Sequence, residues 1–427
     1  MAALRRNPFT DALAGFNYRV WVAGAFVSNV GTWVQRTAQD WLVLTGLTHG
    51  RASAVGLVMA LQFGPQLVLL PWTGLAADRL DRRRLLMGTQ AAMGLLSLGL
   101  GILVAARVAQ LWEVDGFALL FGIAAAFDAP VRQVFVSELV GDERLPGAVA
   151  LNSFSFNAGR MVGPAAAGLL IGAVGAGWAF LFNGLSFGGV LLSLCSLRRG
   201  ELHPQARAQR GPGSLLDGLR TVRARPDLTA MLLMLFLLGT FGLNFAIFTS
   251  TMAANVFHTG ARGFGMLSSV MAAGTMAGAL LGGVVGGGGR TGGAPAWGRL
   301  AVVTAAFGLA GVSAALSQGY WWFAGSLVVL GAASLVFITV TNSAMQLGVE
   351  PVLRGRVMAL RLAVLVGGTP VGAPIVAAVA DGLGPRAALG VGAASGFAAA
   401  AVAWRMRSWE RFRSPRPELA RRVDGGV

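Results

Sequence analysis

Four arginines and two aspartates of this chain lie inside, and away from the ends of, stretches that are otherwise apolar enough to cross a bilayer. Arg36 and Asp40 stand four residues apart, as do Asp128 and Arg132, so each pair can share one helix face and offset its charge. Arg160 and Arg361 fall singly in two further apolar stretches. A charge at the bilayer centre costs at least ~2.5–3.5 kcal/mol on insertion scales, so such groups are candidates for moving ions or protons. Asp40 is the proton-coupling candidate, because its charge state can respond to Arg36 or Arg160 as either approaches or leaves. A static Arg36–Asp40 pair is the alternative.

Other chemistries lack their residues. All 34 basic residues are arginine, which removes a Walker A lysine, a Schiff base and a pyridoxal-phosphate anchor. The single Cys195 allows no internal disulfide, and His49, His203 and His258 are too scattered for zinc. No catalytic residue, cofactor or metal is expected. Asp142 and Glu143 sit beside Arg144 without a His or Cys partner and read as a solvated loop. Gly286 to Gly293 is glycine-rich but lacks the lysine and strand of a nucleotide loop.

The elements that hold these charges are transmembrane helices. Of 427 residues, 55% are hydrophobic and 12% charged, against ~25% charged in soluble domains. Mean hydropathy is +0.65. Twelve apolar stretches of spanning length lie near 20–44, 53–75, 85–106, 114–136, 147–174, 176–197, 228–252, 262–286, 298–317, 320–345, 357–381 and 385–405. The first is long enough to span and reads as a membrane helix, not a cleavable leader.

The arginines orient this framework. The tails and the loops after even-numbered spans hold 26 of the 34, against four in the opposite loops, which puts both termini in the cytoplasm. The net charge of +16 therefore reports topology and anionic lipid, and no nucleic-acid partner is expected. Ten of the eleven tryptophans fall near span ends; Trp33 is the exception. The predicted organisation is a cytoplasmic tail over 1–19, a six-helix bundle over 20–197, a central cytoplasmic loop over 198–227, a second bundle over 228–405 and a basic tail over 406–427. Within the loop, Ser214 to Arg225 reads as a short amphipathic helix.

A shift of 209 residues places Val136–Leu151 over Met345–Leu360, Gly159 over Gly368, Gly163 over Gly372 and Gly74 over Gly283. Duplicated halves around a pseudo-two-fold axis suit a site opened to either side by rocking.

Between the second and third spans runs Gly74-Leu-Ala-Ala-Asp78-Arg79-Leu-Asp81-Arg82-Arg83-Arg84. Here the chain resembles the major facilitator superfamily (MFS), whose hallmark in this loop is Gly, three residues, Asp-Arg, then Gly and a basic run. Asp81 stands where that family commonly has Gly. In this reading Gly74 permits close helix contact and Asp78 caps a neighbouring helix, while Arg79, Arg82 and Arg83 hold the cytoplasmic face. Gly159-Arg-Met-Val-Gly163-Pro164-Ala-Ala-Ala-Gly168 resembles the motif of the antiporter branch. The whole chain looks most like the enterobactin-exporter-like, drug:proton-antiporter part of the superfamily.

That resemblance implies an all-α membrane fold of two pseudo-symmetric six-helix bundles, monomeric, in the bacterial inner membrane. It also implies a cytoplasmic gate in which Asp128, with Arg132 beside it, meets Arg82 or Arg83. The first, fourth, seventh and tenth spans would line the cavity, offering Asn29, Trp33, Phe241, Asn244, Phe245 and Asn342, with Gln62 and Gln66 added by the second. Such a wall suits amphipathic organic molecules better than phosphates or simple ions. The expected function is proton-coupled export of drug-like or siderophore-like small molecules by alternating access. A lysophospholipid or other solute carrier of the same fold is the alternative, and a receptor or membrane-embedded enzyme is the reading from another class.

Overall fold

Helices that carry apolar side chains on every face need an apolar surround as well as an apolar core, and this chain is built almost wholly from them. The computed structural model describes residues 8–203, 215–287 and 297–413. In chain order the helices are α1 (Pro8–Ala12), α2 (Phe16–Trp41), α3 (Ala52–Val68), α4 (Leu70–Arg79), α5 (Arg82–Ala105), α6 (Leu111–Val140), α7 (Leu145–Val174) and α8 (Ala176–Ser196). After the central segment come α9 (Leu215–Ala224), α10 (Pro226–Leu237), α11 (Phe245–Thr251), α12 (Ala261–Gly287), α13 (Trp297–Leu316), α14 (Tyr320–Leu347), α15 (Pro351–Leu383) and α16 (Pro385–Arg413). There is no strand among the described residues. Leu95, Leu192 and Leu280 are 70%, 70% and 77% exposed on the outside of the bundle, where hydrocarbon would cover them.

Among the described residues nine helical segments are long and apolar enough to cross a membrane, or ten if α3 and α4, bent by 57° at Leu69, form one broken span. Two of the twelve expected spans fall short on apolarity, not length. α2 has 26 residues but buries Asn17, Ser28, Gln35, Thr37 and Gln39, and α7 has 30 residues with Arg160 in its middle. The seventh expected span is also irregular: α10 passes through a π-helical turn, Leu238–Gly242, into α11, which ends in another, Met252–Val256. The amphipathic stretch at Ser214–Arg225 appears as α9, packed on α15. Residues 204–214, 288–296 and 414–427 lie outside the described residues, and with them most of the glycine-rich stretch and of the basic tail.

The repeat can be traced helix by helix. Ala52 and Ala261 open α3 and α12, Leu111 and Tyr320 open α6 and α14, Ala176 and Pro385 open α8 and α16, and Val174 and Leu383 close α7 and α15. Every one of these pairs is 209 residues apart. Packing follows the same shift: α5 lies on α8 as α13 lies on α16, and α3 on α6 as α12 on α14. A Cβ on Gly159 would stand 3.0 Å from the Asn29 carbonyl carbon, and one on Gly368 2.6 Å from that of Gly239.

The two halves meet through a matched pair of interfaces, α3 on α15 and α7 on α12. Both are closest at the end remote from the termini. There both carboxylate oxygens of Asp381 accept backbone N–H groups, from Ala52 at 2.6 Å and Ser53 at 2.9 Å. Asn255 Nδ2 donates to the Gly50 carbonyl at 3.1 Å, and the rings of Trp41 and Phe264 stack with centroids 5.5 Å apart. Beyond the bend at Leu69, α4 turns away to pack on α6.

Gly163 and Gly74 separate on packing grounds. A Cβ on Gly163 would lie 2.5 Å from Trp33 Cβ, so Gly163→Val should lower the thermal midpoint in detergent through an overpacking cost of about 1–3 kcal/mol. The close contact expected at Gly74 is not found, because nothing lies within 4 Å of a Cβ built there. Gly74→Ala should therefore leave the midpoint unchanged or raise it, by up to about 1 kcal/mol of helix propensity.

Candidate functional site: a charged cavity between the halves

Asn29, Trp33, Arg36 and Asp40 follow one another at helical spacing and form a single stripe on α2. The opposite side of α2 is tied to the bundle by polar contacts. Gln35 Oε1 accepts from Asn183 Nδ2 at 2.7 Å, and Gly31 fits against Asn183 and Ser186. Gly159 and Gly163 let α7 lie directly on the stripe side of α2, which brings Arg160 to the same indole as Arg36. The Arg36 guanidinium sits 5.2 Å from the Trp33 ring centroid and 5.3 Å from that of Phe63, and Arg160 sits 5.6 Å from Trp33.

A cavity of about 200 Å³ opens here, between the halves. Trp33, Arg36, Asp40, Gln62, Phe63 and Arg160 line it from the first half. Phe245, Thr249, Phe264, Ser268, Met271 and Thr369 line it from the second. Its wall combines aromatic and aliphatic surface with charged and hydrogen-bonding groups, the mixture that sites for organic molecules use. The static Arg36–Asp40 ion pair offered by the spacing is not formed among the described residues: Arg36 is held over rings instead, and its Nε is buried without a hydrogen-bond partner. A guanidinium without a carboxylate in hydrogen-bonding contact gains from ring faces that lie within about 6 Å.

A second charged cluster binds α5 to α6 near the terminal end. Asp128 accepts from Thr89 Oγ1 at 2.9 Å, from Gln90 Nε2 at 2.6 Å and from Arg132 Nε at 3.0 Å, and the Arg132 guanidinium lies 5.7 Å from the Trp21 ring centroid. Those three donors occupy the carboxylate that was expected to meet Arg82 or Arg83. Arg82 pairs instead with Glu138, nearly three turns further along α6, while Arg83 Nε donates to the Leu194 carbonyl at 2.8 Å at the end of α8. Asp81, in the place of the expected glycine, caps α5 by accepting from Arg84 N–H at 2.7 Å. Arg79 is exposed at the end of α4, and the Asp78 side chain lies outside the described part of that helix. Asp128→Ala would leave Arg132 buried without its partner and should cost about 3–5 kcal/mol in a thermal or denaturant melt. Asp128→Asn keeps an acceptor for Thr89 or Gln90 and should cost less.

Of the residues expected in the cavity wall, the structure brings together Trp33, Gln62 and Phe245 with Arg36, Asp40, Arg160 and Pro164. Asn29 donates to Ser155 Oγ at 2.9 Å, and Asn244 donates to the Thr240 carbonyl at 2.7 Å in the break before α11. Gln66, Phe241 and Asn342 are half-buried away from the cavity, and α6 and α14 contribute nothing to its lining. The missed residues include Phe63, Thr249, Thr369 and the α12 set, Phe264, Ser268 and Met271. The α12 set reaches the cavity because Gly168 and Gly265 let α7 and α12 approach closely: a Cβ on Gly168 would lie 2.6 Å from the Ala261 carbonyl oxygen. Arg361 stands apart, buried on α15 and donating to the Ile338 carbonyl at 2.9 Å.

A family model described as transmembrane secretion effector, of the MFS type, matches residues 8–418. The chain belongs to that family. It is 30% identical over 166 residues to the staphyloferrin A transporter of Staphylococcus aureus (strain NCTC 8325 / PS 47), a match covering 39% of this chain and 41% of that protein. It is 31% identical over 190 residues to the enterobactin exporter EntS of Shigella flexneri, covering 42% and 44%. The chain thus spans less than half the length of either relative. Among solved structures, the nucleoside transporter NupG is similar with a TM-score of 0.72 at 13% identity, over 91% of this chain and 99% of that one. A bacterial homologue of the iron transporter ferroportin gives 0.69 at 13% identity, over 91% and 98%. At that identity the likeness is one of fold. Family and fold are those of membrane transporters, not of enzymes.

Proposed function

We propose that this protein is a proton-coupled exporter of amphipathic organic molecules that works by alternating access in the bacterial inner membrane. The observation that carries the reading is the cavity between the halves, whose wall combines aromatic rings with one carboxylate and two guanidinium groups. The relatives named for staphyloferrin A and enterobactin support a small organic substrate. In this reading α2 and α7 join the bent pair and the nine apolar segments to make twelve spans, with both termini cytoplasmic and the protein monomeric. The halves rock about the cavity, and protonation of Asp40 shifts the balance between inward-open and outward-open forms. The Asp128–Arg132 and Arg82–Glu138 cluster holds the cytoplasmic face of the first half.

The test is a pH-gradient flux assay in proteoliposomes with a panel of dyes, antibiotics and siderophores. The expected result is proton movement that depends on at least one of them. Transport without accompanying proton movement would remove the coupling, and no transport of any of them would remove the exporter reading.

A further inference from the structure

We infer that the cavity selects an organic anion, a carboxylate attached to an aromatic body, gripped by Arg36 and Arg160 beside Trp33; this rests on the cavity being the substrate site. Arg36, Asp40 and Arg160 are the charged residues of the wall among the described residues. With Asp40 ionised they sum to one positive charge, which a monoanion balances, and with Asp40 protonated the wall is still net positive. Neither arginine is in an ion pair with Asp40 among the described residues, so both guanidinium groups keep their capacity for a carboxylate. A partly buried guanidinium with no anion in contact has unmet hydrogen-bonding capacity, and a fork of two parallel N–H donors suits a carboxylate geometrically.

An unmet hydrogen bond points the same way: among the lining residues Arg36 Nε, a donor in any assignment, is buried without a partner. Stacking over Trp33 and Phe63 occupies the guanidinium faces and leaves their N–H edges for the ligand. Phe245 and Phe264, on the other side of the cavity, offer surface to an aromatic body.

The experiment compares two fluorescent probes of nearly equal shape, dansylglycine and its uncharged carboxamide, binding to the full-length protein in nanodiscs with empty nanodiscs as background. The carboxylate should bind at least about tenfold more tightly, the value of one charge-assisted hydrogen bond. In Arg36→Gln and Arg160→Gln that preference should shrink to within about threefold, and Arg36→Lys should keep part of it. Thermal melts of the variants establish that they are folded, and the wild-type comparison needs no variant at all. Equal binding of the two probes, or a preference unchanged in both glutamine variants, overturns the anion site and leaves the exporter reading standing. Binding of neither probe also overturns the anion site, and the exporter reading then stands or falls on the flux panel.

Discussion

Gradient-driven flux through the Asp40→Asn protein is expected to fall to the level of empty liposomes, while substrate exchange in the absence of a pH gradient persists. Asp40 is the carboxylate of the cavity wall, and Arg36, which its spacing would make its partner, is occupied by the rings of Trp33 and Phe63. A group so placed can gain and lose a proton without breaking an ion pair. Coupling requires that the protonated and ionised forms favour different arrangements of the halves. Asparagine fixes the neutral form, so the gradient loses its handle while the cavity keeps its size and its rings. Asp40→Glu restores a titratable group and should recover part of the gradient-driven flux, which a purely structural role for Asp40 would not explain. Normal gradient-driven flux in Asp40→Asn, with an unchanged pH profile, would take the coupling role away from this residue.

The half of the site borne by α2 was legible because helical spacing alone aligns Trp33, Arg36 and Asp40, and because Trp33 is the tryptophan that does not sit near a span end. The repeat was legible too, since glycines and helix ends share one shift. The other wall was not. Phe264, Ser268 and Met271 are ordinary apolar or small residues of a glycine-rich helix, and they face the cavity only because the halves have closed on each other at one end. Periodicity shows which face of a helix is distinctive, but not which helix of the other half will meet it. Partner choice within the charged loop was hidden for a related reason: Asp128 is satisfied by Thr89 and Gln90, uncharged residues that draw no notice in sequence, and this leaves Arg82 to Glu138. The break at Leu69 had a visible sign in Pro71, which sits in the first turn of α4, where a missing N–H is harmless.

Removing the carboxylate of Asp381 should open the end remote from the termini. Its two oxygens cap the N-terminus of α3 from 329 and 328 residues away, across the interface between the halves. Hydrogen bonds from backbone N–H to a charged group are worth about 1.5–3 kcal/mol each, and the helix N-terminus adds a favourable dipole. Losing both should weaken closure at this end by about 3 kcal/mol, a shift of roughly a hundredfold in the balance between closed and open forms. The apolar contacts below, with Gly56 fitted against Ala373 and Ala377, are the same in both proteins, so the change isolates the cap. Val108 and Gln318 are exposed in the loops before α6 and α14 and can carry spin labels once Cys195 is replaced by serine. In the wild type the distance between them should be narrowly distributed; Asp381→Ala should move the distribution to longer values, and Asp381→Asn, which keeps one acceptor, should fall between. An unchanged distribution in Asp381→Ala would mean that the glycine-lined packing of α3 on α15 closes this end without the cap. The cavity also predicts how the two ends communicate: Phe264 stacks on Trp41 just inside the closed end and also lines the cavity, so a ligand pressing on Phe264 acts on the same closure that Asp381 holds. A substrate carried by this protein should therefore lengthen the Val108–Gln318 distance in the wild type and change it little in Asp381→Ala, where the closure is already lost.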